Sequence, residues 1–174
     1  GACRGWPRVR CGRDGVSLQG ARVLVPRGGA WGARVSAQIN GLGGTAVVAP
    51  VIASAPPRNT AARDAAFAAV AAGQYDWVFL TSTASVEQLR GHGVEIPAST
   101  RVAVVGSATA RAVNDTGWTV SFVPAGASSA SALASGWCAA HTPTSTGRCL
   151  ILRSDLAAAV VSDELELRGY DVDV

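Results

Sequence analysis

The sequence predicts an α/β protein built on parallel sheet, and three observations carry that reading. From residue 21 onward, short β-branched runs alternate with Ala-rich segments, the alternation of strand and crossover helix. Hydrophobic residues make up 48% of the 174 residues and charged ones only 16%, against roughly 25% charged in ordinary soluble domains, so a buried core is well supplied and wholesale disorder is excluded. The longest apolar stretch, Ala46 to Ala53, is interrupted by Pro50 and is far shorter than the ~20 residues of a membrane-spanning helix, so no membrane partner is expected.

The elements follow in order. Residues 1–20 hold six Gly or Pro and four Arg without periodicity, and they read as an irregular tail. Strands are expected at 22–26, 46–53, 76–80, 101–105, 119–123, 148–152 and 171–174. Between them, Val35/Ile39/Leu42 and Leu133/Trp137/Ala140 recur at i, i+4, i+7, which gives a helix one apolar stripe to lay on a sheet. Gly44, Gly73, Gly117 and Gly169 each follow such a stripe and are expected to stop the helices, because glycine accepts the left-handed conformation common there. The sum is a parallel-sheet architecture of flavodoxin-like or Rossmann-like type.

One unit recurs. A shift of 126 residues aligns Arg22 with Arg148, Leu24 with Leu150, Val25 with Ile151 and Arg27 with Arg153. Without a gap it then brings Val35 to Val161, Ile39 to Leu165, Gly43 to Gly169 and Val48 to Val174. Core spacing of this kind is generic to strand-helix-strand units, but packing alone does not call for an Arg just past each strand.

The net charge of +3 rests on 15 Arg, no Lys and 12 acids. The Arg residues are scattered singly rather than gathered into the basic stripe that tracks a phosphate backbone, so no nucleic-acid partner is expected. The 33 Ala, 20 Gly and absent Met fit a GC-rich coding sequence, and the lack of an initiating Met reads as a processed chain or a fragment. Cys3, Cys11, Cys138 and Cys149 form no C-x-x-C pair. With only His92 and His141 beside them, no zinc spacing arises, and the expectation is four free thiols in a reducing cytoplasm and no metal.

In open parallel sheets, ligands bind outside the carboxyl ends of the strands. Those ends carry Arg27-Gly28-Gly29, Thr81-Ser82-Thr83, Gly106-Ser107-Ala108-Thr109, Pro124 to Ser129 and Arg153-Ser154-Asp155. Glycine and hydroxyl residues beside helix N-termini suit a ligand with carboxylates or phosphates, although Ser and Thr there serve equally as plain helix caps. No P-loop, no G-x-G-x-x-G after a strand and no G-x-S-x-G elbow is present, so no nucleotide cofactor is expected. His92, between two glycines, and His141, before Thr142-Pro143, face no nucleophile in this reading. Asp64, Asp76, Glu87, Asp115, Asp163, Glu164 and Glu166 read as solvated charges.

Taken together, these segments resemble uroporphyrinogen-III synthase, the family that closes the tetrapyrrole ring. The resemblance rests on Val23-Leu24-Val25-Pro26-Arg27, on Tyr75-Asp76-Trp77-Val78-Phe79-Leu80-Thr81-Ser82 with Val86, and on Val104-Val105-Gly106-Ser107-Ala108-Thr109-Ala110. It continues through Gly117, Val120, Phe122-Val123-Pro124, Ser128 to Leu133 and Leu150-Ile151-Leu152-Arg153, spanning about residues 21 to 174. The family usually opens with Thr-Arg-Pro where this chain has Pro26-Arg27-Gly28.

The resemblance implies two α/β domains joined by two crossings. Residues 21–44 would give the first strand and helix of domain 1, whose remainder is not in the sequence, and 45–53 a linker strand. Residues 54–170 would form the whole of domain 2, and 171–174 would start the return linker. It further implies a cytoplasmic, monomeric hydro-lyase that converts hydroxymethylbilane to uroporphyrinogen III, with no cofactor. Thr81, Ser82, Gly106, Ser107 and Thr109 would bind the substrate, and Arg27 and Arg153 would act as anion partners. A tyrosine implicated in the family's chemistry lies past the return crossing, so Tyr170 does not inherit its role, and the catalytic residues stay open. The isolated 174-residue chain is expected to be inactive. The rival reading is a non-catalytic, anion-binding flavodoxin-like module or an inactive remnant of the synthase.

Overall fold

The computed structural model describes residues 10–12, 15–51, 55, 57, 59–141, 147–154 and 158–174. It divides into two compact units, Gly1–Pro56 and Pro57–Val174. In the first, β1 (Arg10–Gly12) and β2 (Gly15–Ser17) pair antiparallel, so part of the stretch expected as tail is a short hairpin. The strand β3 (Arg22–Val25) leads into helix α1 (Gly29–Gly41), which returns to β4 (Thr45–Val48). β3 and β4 pair in parallel, with Arg22 opposite Thr45 and Val25 opposite Val48. The stretch expected as a linker strand therefore spends its first four residues as the sheet partner of β3, and Ile52 and Ala53 lie outside the described residues.

The second unit is a three-layer sandwich. Its elements are α2 (Thr60–Ala71), β5 (Trp77–Leu80), α3 (Thr83–Gly91), β6 (Arg101–Val104), α4 (Ser107–Asn114) and β7 (Val120–Phe122). They continue with α5 (Ala130–Ala140), β8 (Arg148–Leu152), α6 (Val160–Glu166) and β9 (Asp171–Asp173). The five strands are all parallel, in the order β7-β6-β5-β8-β9. Central β5 is buried on both faces, as a strand covered by helices above and below must be. Val78 and Leu80 join Phe67 and Val70 of α2, Val86 and Leu89 of α3 and Val113 of α4. Trp77 and Phe79, pointing the other way, pack with Leu133 and Trp137 of α5 and Val161 and Leu165 of α6. Residues 171–173, expected to begin a return crossing, form the edge strand of this sheet.

The recurrence in the sequence is a recurrence in space. Arg22 faces Thr45 in the first unit as Arg148 faces Asp171 in the second, and Leu24 faces Val47 as Leu150 faces Asp173. The turns after the helices match bond for bond. The Gly44 amide donates to Ile39 O (3.0 Å) as Tyr170 does to Leu165 O (3.2 Å), and Thr45 donates to Ala21 O (2.8 Å) as Asp171 does to Gly147 O (3.0 Å). The left-handed residue of the first turn is Gly43 (φ 81°) rather than the expected Gly44, which keeps it in register with Gly169 (φ 84°). Gly73 and Gly117 take the left-handed conformation as expected. The apolar stripes end early: Leu42 and Ala140 are exposed because Leu42 falls past the end of α1 and Ala140 ends α5 on its outer side.

Candidate anion site at the strand ends

The strand order reverses between β5 and β8, since β6 and β7 extend the sheet one way and β8 and β9 the other. The following helices part accordingly, α3 to one face and α6 to the other, which leaves a crevice outside the carboxyl ends of β5 and β8. Thr81-Ser82 follow β5 there, and Arg153-Ser154 follow β8. The backbone ladder loosens toward this end. The Asp76 amide donates to Arg148 O at 2.9 Å, whereas Thr81 reaches Leu152 O only at 3.4 Å. Hydroxyls bridge the gap: Thr81 Oγ1 donates to Leu152 O at 2.9 Å, and Ser85 Oγ to the same oxygen at 3.0 Å.

The hydroxyls expected to meet a ligand are therefore occupied in part. Ser82 is the N-cap of α3, its Oγ accepting from the Ser85 amide (3.3 Å) and lying 3.1 Å from Ser85 Oγ. The first amides of a helix have no intrahelical acceptor, so the donors α3 offers to the crevice are main-chain N–H groups. Ser129 caps α5 through the Ala132 amide (3.1 Å).

One strand over, α4 begins with Gly106 as N-cap and no side chain on its first amides. Gly106 is buried, and a Cβ there would come within 2.7 Å of Ser128 Cβ, so glycine is what lets the β7–α5 loop lie against this helix start. Ser107 is exposed in the first turn, and Thr109 is buried in α4. Thr81, Ser82, Gly106, Ser107 and Thr109 thus fall on the ends of adjacent strands β5 and β6, with Arg153 on β8 beyond. Asp155 lies outside the described residues. Arg27 follows β3 in the other unit at the position equivalent to Arg153. Ser85 is absent from the sequence reading. Its signal is the spacing Ser82-x-x-Ser85, which resembles a capping box with too short a residue at the fourth position.

The opposite end of the sheet carries a different network. Asp173 accepts from Tyr75 Oη (2.7 Å) and from Arg148 Nη2 (2.8 Å), and the Arg148 guanidinium lies 4.7 Å from the Tyr75 ring centroid. Burial, then the bond to Asp173, pushes the Tyr75 phenol far above its ordinary range. Asp76, expected to be a solvated charge, accepts the Arg148 amide at 2.8 Å and extends the β5–β8 pairing with a side chain. Asp64 pairs with Arg63, and Glu164 with Arg168. Both histidines hold helix ends: His92 Nδ1 meets Gln88 O (2.8 Å) and His141 Nδ1 meets Trp137 O (2.9 Å). A depression of about 290 Å³ between α2 and the end of α3, lined by Phe67, Ala71, His92 and Val94, lies at this end and away from the crevice. Among the described residues no cluster of His, Cys, Asp or Glu is placed to hold a metal, and no helix is long and apolar enough to cross a membrane.

Comparison with known proteins adds a family to this geometry. The family described as Uroporphyrinogen-III synthase HemD matches residues 33–174. The chain therefore belongs to the uroporphyrinogen-III synthase family, although the match leaves out Arg27 and the opening strand. Its fold is similar to that of uroporphyrinogen III synthase from Thermus thermophilus, at 22% identity and a TM-score of 0.54 over 87% of this chain and 59% of that one. A selenomethionine mutant of that enzyme gives a TM-score of 0.60 at 22% identity with the same coverage, and a third structure gives 0.52 at 21% over 87% and 60%. The chain spans about three-fifths of the length of these synthases. No match was found among curated protein sequences.

Proposed function

We propose that this member of the uroporphyrinogen-III synthase family acts in the cyclisation of hydroxymethylbilane to uroporphyrinogen III, with loss of water, inversion of ring D and closure of the macrocycle. The observation that carries the reading is the crevice at the β5/β8 reversal, flanked by the starts of α3 and α4, with Arg153 at its far side. The substrate bears eight carboxylates. Helix-start amides at Ser82 and at Gly106–Ser107 would hold such groups by charge-assisted hydrogen bonds, and the Arg153 and Arg27 guanidiniums would donate to them as forks. Thr81 and Thr109 would shape the wall, since Thr81 already spends its hydroxyl on Leu152 O.

Once the hydroxyl has left, the electrophilic azafulvene needs orientation more than activation, so a site of fixed donors without a strong nucleophile is sufficient. In this reading residues 54–170 form the whole second domain of the enzyme, and 21–44 give the first strand and helix of its first domain. The protein works as a cytoplasmic monomer. The gene product that contains this chain, supplied with hydroxymethylbilane, is expected to yield isomer III in excess. Isomer I alone, at the spontaneous rate, would overturn the proposal. The rival reading is an anion-binding module without turnover. That protein would bind uroporphyrin and leave the isomer ratio unchanged.

A further inference from the structure

We propose that Ser85 is a positioning residue which, with Thr81, sets the width of the crevice between β5 and β8. The inference rests on the anion-binding reading of that crevice. Leu152 O lies within reach of three donors, the Thr81 amide at 3.4 Å, Thr81 Oγ1 at 2.9 Å and Ser85 Oγ at 3.0 Å. A carbonyl oxygen has two lone pairs, and here the two short bonds come from hydroxyls while the ladder amide is held at arm's length. The two strands are thus tied across a spread end, where the helices leave to opposite faces.

Ser85 stands at the third position of α3, where a longer Glu or Gln would turn back to the N-cap amide. It is 7% exposed and crosses instead to β8. One hydroxyl therefore has two consequences. It ties down the backbone that leads directly into Arg153, and, being spent there, it does not supply the Ser82 amide with a reciprocal cap. The function of Ser85 is exerted through Leu152 and Arg153, and not by contact with a ligand.

The test compares wild type with S85A, S85C and S85T in the full chain. S85C keeps the side-chain volume and replaces the hydroxyl by a weak donor, and S85T keeps the hydroxyl. Two readouts are taken: amide exchange at Thr81, with no ligand present, and the affinity for uroporphyrin I. We expect S85A and S85C to speed exchange at Thr81 about fivefold and to weaken uroporphyrin binding about fivefold, at an almost unchanged melting temperature, with S85T near wild type. Unchanged Thr81 exchange in S85A and S85C overturns the inference whatever the porphyrin does. Faster exchange with unchanged affinity overturns its link to binding. Faster exchange in a protein whose wild type ignores uroporphyrin upholds the tie between the strands and overturns the functional reading instead.

Discussion

The strand-helix-strand units at 22–48 and 148–174 share register, turn and core positions, yet they live in different surroundings. Leu24 is 61% exposed while its counterpart Leu150 is 3% exposed, and both sit at the same point of equivalent strands. Ile39 and Leu165 are both buried, because each is covered by its own unit's strands. The difference lies in the neighbours. β8 has β5 on one side and β9 on the other, whereas among the described residues β3 pairs with β4 alone. Register and turn geometry are set within some 27 residues by the sequence of the unit, and the burial of the sheet's far face is set by helices that come from elsewhere, as α2 and α3 share a core with Leu150.

The largest expected effect breaks this contrast at its widest point. Leu150→Ala should cost about 3 kcal/mol, a cavity in a core that cannot collapse, while Leu24→Ala should stay within about 0.5 kcal/mol. Urea denaturation of the two variants measures both, and equal losses would mean that the first unit buries Leu24 in solution. The next effect runs the other way. Gly32 presses on the loop after β3 so closely that a Cβ would lie 2.2 Å from Arg27 O, whereas the equivalent position in the second unit is Ala158, before α6 begins. Gly32→Ala should cost about 2 kcal/mol through backbone displacement. Amide exchange should rise through 22–48 and stay as it was through 148–174.

The comparison also marks what could be read in the sequence. All seven expected strands are present, six of them within two residues, because β-branched runs bounded by Gly and Pro dictate them locally, whereas the run expected at 46–53 is strand only over Thr45–Val48. The hairpin at 10–17 was hidden, since Arg10-Cys11-Gly12 and Gly15-Val16-Ser17 carry no hydrophobic alternation. The crevice was legible as a place, because strand ends and helix starts follow from element order. Its chemistry is legible only by half: Thr81 and Ser82 belong to the strand end as expected, and the Ser82 cap is local, but that the Thr81 hydroxyl turns inward depends on β8, 71 residues away in sequence. Asp76 was misjudged for the same reason, its partner being the Arg148 amide.

A third prediction uses Cys149, whose counterpart is Val23. Burial first, and then Asp76, pushes its thiol up from about 9 to about 12. A folded state that holds a proton more tightly than the unfolded one keeps its stability below the unfolded pKa and loses it as pH rises toward the folded one, so this part of the stability declines from pH 9 toward 12. Tyr75, raised in the same direction, adds a decline that begins near pH 10. Each group contributes a slope of at most about 1.4 kcal/mol per pH unit. Cys149→Val, which copies the first unit, should change stability by less than about 1 kcal/mol at pH 7 and make the alkaline decline above pH 9 shallower, the remainder there coming from Cys138, whose thiol burial also raises. Urea titrations between pH 7 and 11.5 decide it, and an unchanged slope above pH 9 would remove Cys149 as a cause.

The smallest expected effect separates two serines in register. Ser36 and Ser162 occupy equivalent places on α1 and α6, one residue past Val35 and Val161. Ser162 Oγ donates to Ala159 O at 2.8 Å in the first turn of α6. Ser36 Oγ is buried and meets no acceptor within α1 or its sheet. A satisfied buried hydroxyl contributes on the order of 1 kcal/mol, and an unsatisfied one costs about as much through lost hydration. The same substitution should therefore have opposite signs in the two copies: Ser162→Ala should destabilise by about 1 kcal/mol, while Ser36→Ala should be neutral or stabilise by up to about 1 kcal/mol, helped by the higher helix propensity of alanine. Melting of the two single variants and of the double variant tests this. The two serines lie in different units, so the double variant should equal the sum of the singles within about 0.5 kcal/mol. A loss of similar size at both positions would show that Ser36 finds an acceptor in solution, and the two copies would then be alike in this respect as well as in register.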